Sequence, residues 1–154
     1  MAYHTAEICE KGHIISKNGI KIQNFCKECG SKVIHRCPSC NSSIDGVVQD
    51  AWDFSYKFDL PYYCDKCGKA YPWTLIAIET IQELLLLDPT FNQDDVNFIS
   101  NNVSELITET PKTKLVATKM KLLIGKATVA TGNLAKEILI DVLSETAKKI
   151  ILEG

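Results

Sequence analysis

Read for the spacing of its apolar positions, the chain falls into two stretches of different period. From residue 72 onward apolar residues recur three and four apart, the helical period. Tyr71-Pro72-Trp73-Thr74 predicts a helix start with Pro72 in the first turn, and Asp88-Pro89 predicts its end. Leu75, Ile76, Ile78, Ile81, Leu84 and Leu85 form its broad apolar face. Asn92 reads as an N-cap with Asp95 at N3, opening a second helix whose face is Val96, Ile99, Val103, Leu106 and Ile107. Thr110-Pro111 predicts a cap followed by Pro at N1. A third helical stretch runs from there to the C-terminus, with Val116, Met120, Leu123 and Ala127 on one stripe and a kink or break at Gly132-Asn133. Three or four helices are therefore expected after residue 71.

The first 70 residues lack that period. Short strand signals alternate with turns, and Asn18-Gly19 predicts a type I′ hairpin through Lys17-Asn18-Gly19. A second hairpin is expected to loop through Ser43 to Gly46 and return on residues 52–58. There Trp52, Phe54, Tyr56 and Phe58 alternate with polar residues and share one strand face. The fold class expected is a small α+β protein, with short β-hairpins over residues 1–70 and an all-α region over 71–154.

All seven cysteines of the 154-residue chain lie in the first 67 positions. Six make three pairs of one spacing: Cys26-x-x-Cys29, Cys37-x-x-Cys40 and Cys64-x-x-Cys67. The seventh, Cys9, precedes Gly12-His13. An odd count without a leader segment disfavours a disulfide framework, and three pairs do not fit a single redox motif. Tetrahedral zinc fits, because two such pairs close one site. Gly30, Gly68 and Asn41 follow the second cysteine of each pair, where a knuckle turns through positive φ. Seven cysteines leave two sites one ligand short. His13, four residues past Cys9, is the favoured eighth ligand, with His35 held in reserve and His4 left in a terminus expected to fray. Sequential pairing then gives Cys9, His13, Cys26 and Cys29 for one zinc and Cys37, Cys40, Cys64 and Cys67 for the other. A cross-brace, joining alternate pairs, needs more of the chain.

Cys-x-x-x-His, FCKECGSK, RCPSC and YYCDKCGKAYPW together resemble a double zinc ribbon over about residues 5–73. The opening Cys-x-x-Gly-His and the helical tail also resemble a bacterial family that joins such ribbons to helices. The resemblance implies a bacterial, cytoplasmic setting. It departs from the ribbon pattern at the first site, which recruits a histidine.

Charge narrows the functions. A net charge of −2 argues against a general polyanion binder. Apolar runs such as Leu84 to Leu87 are too short to cross a bilayer, and the N-terminus has no apolar leader core, so a soluble intracellular protein is expected. Residues 79–109 hold only acidic charges and 111–126 only lysines. These blocks are expected to answer one another, the competing reading being a basic helix offered to nucleic acid. The aromatic residues 52–58 are expected to cover the small ribbon, the competing reading being a platform for a partner or for single strands. The tail from Leu134 to Leu152 is apolar on more than one face, which points to self-association or a protein partner. No phosphate loop, nucleophile elbow or His-Glu-x-x-His is present, and no enzyme is expected. The sequence thus reads as a structural-zinc adaptor, with a zinc-ribbon nucleic-acid regulator as the alternative.

Overall fold

The computed structural model describes residues 2–20, 23–49, 57–140 and 143–153. The chain divides into two compact units, Met1–Ile76 and Ala77–Gly154. The fold class is small α+β, with short antiparallel strands first and helices after.

The first unit contains five short strands among its described residues: β1 (Tyr3–Thr5), β2 (Glu7–Cys9), β3 (Ile14–Ser16), β4 (Val33–Ile34) and β5 (Asp45–Val48). The order β3-β2-β4 makes one antiparallel sheet, and β1 pairs with β5 in another. Two expectations are corrected here. The β2–β3 hairpin turns at Cys9–His13, not at Asn18-Gly19. A type I′ turn needs positive φ at both central residues, and only Gly19, at +71°, has it. Asn18 instead makes an Asx turn, its Oδ1 accepting from the Ile20 N–H at 3.2 Å and the Ser16 hydroxyl at 2.9 Å. Ser43 to Gly46 is likewise not a loop. Ile44 is buried, its carbonyl accepts the Ala6 N–H at 2.8 Å, and the chain continues directly into β5. That pairing ties down His4 within β1, where fraying was expected. The residues Trp52, Phe54 and Tyr56 lie outside those described. Phe58, at the end of the same stripe, is not in a strand and packs against the core of this unit.

That core is small: Ala6, Ile8, Ile44, Tyr71 and Trp73 are buried together with Cys37 and Cys64. Tyr71 and Trp73 stack with ring centroids 4.8 Å apart. The Trp73 indole N–H donates to the Pro61 carbonyl at 2.7 Å, and the Thr74 hydroxyl donates to the Tyr62 carbonyl at 2.6 Å.

These contacts seat the first turn of α1 (Pro72–Leu86), the helix in which the second unit begins. There follow α2 (Gln93–Asn102), a 3-10 turn at Val103–Leu106, α3 (Thr113–Lys126), α4 (Val129–Leu139) and α5 (Glu145–Leu152). Where three or four helices are expected, five are found among the described residues. Asn92 caps α2 with the reciprocal Asp95 bond of a capping box. The Thr110-Pro111 start is displaced: Pro111 lies in a turn and α3 opens at Thr113, whose hydroxyl donates to the carbonyls of Glu105 and Thr108. The break expected at Gly132 falls earlier, at Ala127-Thr128, because the Thr128 hydroxyl accepts the Thr131 N–H and starts a new helix. Gly132 sits inside α4. Ser144 makes a second break by capping α5. Val116, Met120 and Ile124 of α3 form the centre of a core that includes Ile81, Leu85, Ile99, Leu106, Leu139 and Ile151.

The acidic block does more than answer the basic one. Lys126 pairs with Asp95, and the Lys119 ammonium lies 5.3 Å from the Phe98 ring centroid. Asp88, however, is buried. One carboxylate oxygen accepts the Thr90 N–H and hydroxyl, at 2.9 and 2.6 Å. The other accepts the Thr128 N–H and hydroxyl, both at 3.0 Å, at the start of α4. Glu109 accepts the Thr146 N–H at 2.9 Å in the first turn of α5. Negative charge at a helix N-terminus is favourable there. The Thr90 hydroxyl and N–H, with the Thr128 N–H, hold the Asp88 carboxyl well below its usual range.

Candidate metal centres

Three turns of one design present the paired cysteines. In each, the first cysteine's carbonyl accepts the N–H four residues on: Gly30 to Cys26 at 2.7 Å, Asn41 to Cys37 at 2.8 Å and Gly68 to Cys64 at 2.8 Å. The cysteine N–H in turn donates to the carbonyl five residues on, that of Ser31, Ser42 or Lys69. Gly30, Asn41 and Gly68 have φ of +74°, +64° and +75°, the left-handed geometry that favours Gly and Asn. A single bridge closes each turn: Phe25 with Lys32, Arg36 with Ser43 and Tyr63 with Ala70. The fourth turn is one residue shorter. Gly12, at +95°, donates to the Cys9 carbonyl at 2.9 Å, which brings His13 round to Cys9.

The four turns converge in pairs. Cys9, His13, Cys26 and Cys29 form one group, and Cys37, Cys40, Cys64 and Cys67 the other; within each, the donor atoms all lie within 4.8 Å of one another. The grouping is sequential, not cross-braced. His35 belongs to neither group.

Distances test whether an ion fits. A tetrahedral zinc with Zn–S near 2.3 Å and Zn–N near 2.05 Å requires S···S of about 3.8 Å and S···N of about 3.6 Å. The Cys9–Cys29, Cys37–Cys67 and Cys40–Cys64 sulfurs are each 3.7 Å apart. His13 Nδ1 stands 3.4 Å from the Cys9 sulfur and 3.5 Å from that of Cys26. Each group could therefore hold one metal ion, and both are compatible with zinc ribbons. The outer ring nitrogen of His13 faces Glu28 Oε2 at 3.7 Å, which places a carboxylate behind the imidazole.

Backbone and hydroxyl donors together favour thiolate at Cys29 and Cys40, and, against the burial that raises it, the backbone N–H groups of Cys67 and Lys66 lower Cys64. The Ser31 hydroxyl and N–H lower Cys29 to about 6, and the Ser42 hydroxyl and N–H lower Cys40 to about 6. Cys67 has Lys69 at the corresponding place. Its N–H also favours thiolate, but burial and the three neighbouring sulfurs outweigh it and push Cys67 up to about 11.

A family model described as uncharacterized protein conserved in bacteria (DUF2321) matches residues 2–151. The chain belongs to this family. No curated protein and no solved structure matches it. For this DUF2321 member the two donor groups are thus the main guide to chemistry. Sequence spacing had pointed to all eight donors. It had no signal for Asp88 and Glu109 as caps of distant helices, since their partners lie 40 and 37 residues away. No described helix is long and apolar enough to cross a membrane.

Proposed function

We propose that this protein is a non-enzymatic adaptor of the bacterial cytoplasm. Two structural zinc ions stiffen its ribbon head, and its helices assemble with a second copy or bind a protein partner. The observation that carries the reading is the pair of four-donor groups at sulfur spacings of 3.7 Å. Four protein donors fill a tetrahedral site, whereas a catalytic zinc keeps one position for water or substrate. In each group two cysteines are buried, Cys9 and Cys26 in the first and Cys37 and Cys64 in the second, so an ion there would replace missing core. Zinc bound this way contributes folding energy directly. A cytoplasmic setting keeps the thiols reduced and available.

The helical role is supported by apolar side chains left in solvent on α4 and at its C-cap, Ile140. Val129 is 80% exposed, and Leu134 and Ile140 about half. The competing nucleic-acid reading draws on the aromatic stripe 52–58 and the basic helix 111–126. It finds less support there, because Phe58 packs inward and Lys126 pairs with Asp95.

Native mass spectrometry of protein purified without chelator tests the proposal. Two zinc ions per chain and an oligomer, or a co-purifying protein captured reproducibly, are expected. One ion or none per chain would overturn it.

A further inference from the structure

The net charge of −2 conceals a local excess of the opposite sign. Between residues 10 and 44 the chain carries Lys11, Lys17, Lys21, Lys27, Lys32 and Arg36 against two acids, Glu10 and Glu28. Glu28 faces the His13 ring, so one of those acids is already engaged. A groove of about 330 Å³ runs along this region, lined by Lys32, Ile34, His35, Arg36 and Pro38, with Glu10 on its wall.

The repeated turn geometry adds a second observation. The residue just before each knuckle occupies one structural position, and the three occupants are Phe25, Arg36 and Tyr63. All three are exposed, Phe25 at 65%. An aromatic ring or a guanidinium plane is the side chain on which a nucleobase stacks. Phe25 is the cross-strand partner of Lys32, which lines the groove, so a stacking face and an ammonium are neighbours there. Arg36, four residues further along the chain, lines the same groove.

From this arrangement we infer that the first ribbon and β4 form a binding site for single-stranded nucleic acid. Phe25 stacks a base, Lys32 and Arg36 contact phosphates, and Glu10 offers an acceptor to a base amino group. An acidic polypeptide would satisfy the charge but would leave Phe25 without a role. The inference rests on the reading above only in that an ion in the first group holds the Phe25 turn rigid. Its residues are neither those of the aromatic stripe nor the lysines of α3.

The test is fluorescence anisotropy of the whole, metal-loaded protein with a labelled oligothymidylate of roughly 12 nucleotides, a length matched to known single-strand sites. A Kd on the order of 1–100 µM at low salt is expected, with log K falling against log salt at a slope of about −1.4 for the two phosphate contacts. Lys32→Ala reduces the slope by about 0.7. Phe25→Ala weakens binding about 5- to 150-fold and leaves the slope unchanged. No anisotropy change up to about 100 µM, the weak limit of the usual range for non-specific binding, overturns the inference. So does binding that ignores both substitutions, or labelled polyglutamate that binds as tightly and is indifferent to Phe25→Ala. Zinc content, measured on the same samples, separates the two claims. Two ions without oligonucleotide binding refutes this site alone, whereas binding by a chain with fewer ions refutes the structural-zinc reading.

Discussion

Removing metal with a strong chelator at neutral pH should unfold residues 1–76 and leave residues 77–154 folded. The buried apolar cluster around the first donor group consists of Cys9, Cys26 and Val33. Apart from cysteines it has Val33, with partly buried Ile15 packed against it, and full burial of one such side chain stabilises by about 1.5–3 kcal/mol. A structural zinc contributes about 10–16 kcal/mol in peptide systems, as much as or more than the whole stability of a small domain. The second group has more to fall back on, since Ile8, Ile44, Tyr71 and Trp73 pack beside it. The first ribbon should therefore open at lower chelator concentration than the second. By contrast, the fourteen buried residues from Ile81 to Ile151 form a core with no cysteine in it. Hydrogen exchange read by mass spectrometry distinguishes the regions. Protection should vanish in peptides from 2–49 and 57–71 and persist in α2 to α5, with fraying confined to the first turn of α1, where the Pro61 and Tyr62 carbonyls hold Trp73 and Thr74. Full protection of residues 2–49 after metal loss has been verified by mass would refute the reasoning. So would loss of helix throughout.

His13→Ala is expected to lower zinc content from two ions to one, while His35→Ala leaves it at two; metal analysis decides, and the reverse result would reassign the ligand. Gly46→Ala should destabilise the first unit by about 1–3 kcal/mol, a typical cost of overpacking. A Cβ at that position would lie 2.1 Å from the Lys17 carbonyl oxygen, so an unchanged melting temperature would contradict the close approach of β5 to Lys17. Asp88 has a folded-state pKa depressed below its ordinary 3.8, so its contribution is complete above that value and is lost as pH falls through the folded pKa. The melting temperature of the helical unit should be flat above about pH 5 and drop in acid, and Asp88→Asn should be less stable at neutral pH with a shallower acid drop. An identical acid profile in the two proteins would show that Asp88 is not the group responsible.

The parts of the fold legible in the sequence are those whose causes are local. Cysteine spacing with Gly or Asn after each pair gave the three knuckles, because both the donors and the turn they need lie within six residues. The Asn92 and Asp95 box and the Pro72 start were legible for the same reason. The pairing of β1 with β5 was not, since it joins Tyr3 to Val48 across the intervening ribbon and rests on Ile44 and Val47 being buried, which a four-residue strand does not announce. Nor was the break before α4. Gly132 carried the obvious sequence signal, but an open-coil preference at one glycine is outweighed by a capped Thr128 that also meets a carboxylate from far upstream. Of the candidate sites, the eight donors were visible. The role of Phe25 was not, because its exposure follows from the knuckle that carries it.

The Asp88 contact also orders events in folding. An isolated 11-residue helix such as α4 is marginal in water, because nucleation is costly and few bonds follow it. The carboxylate that binds at its N-terminus comes from 40 residues earlier, at the end of α1. That partner arrives only after a long loop has closed, an entropic step that must precede the reward. Helix α4 is therefore a late participant: α1 and α3 must find one another before its first turn is held.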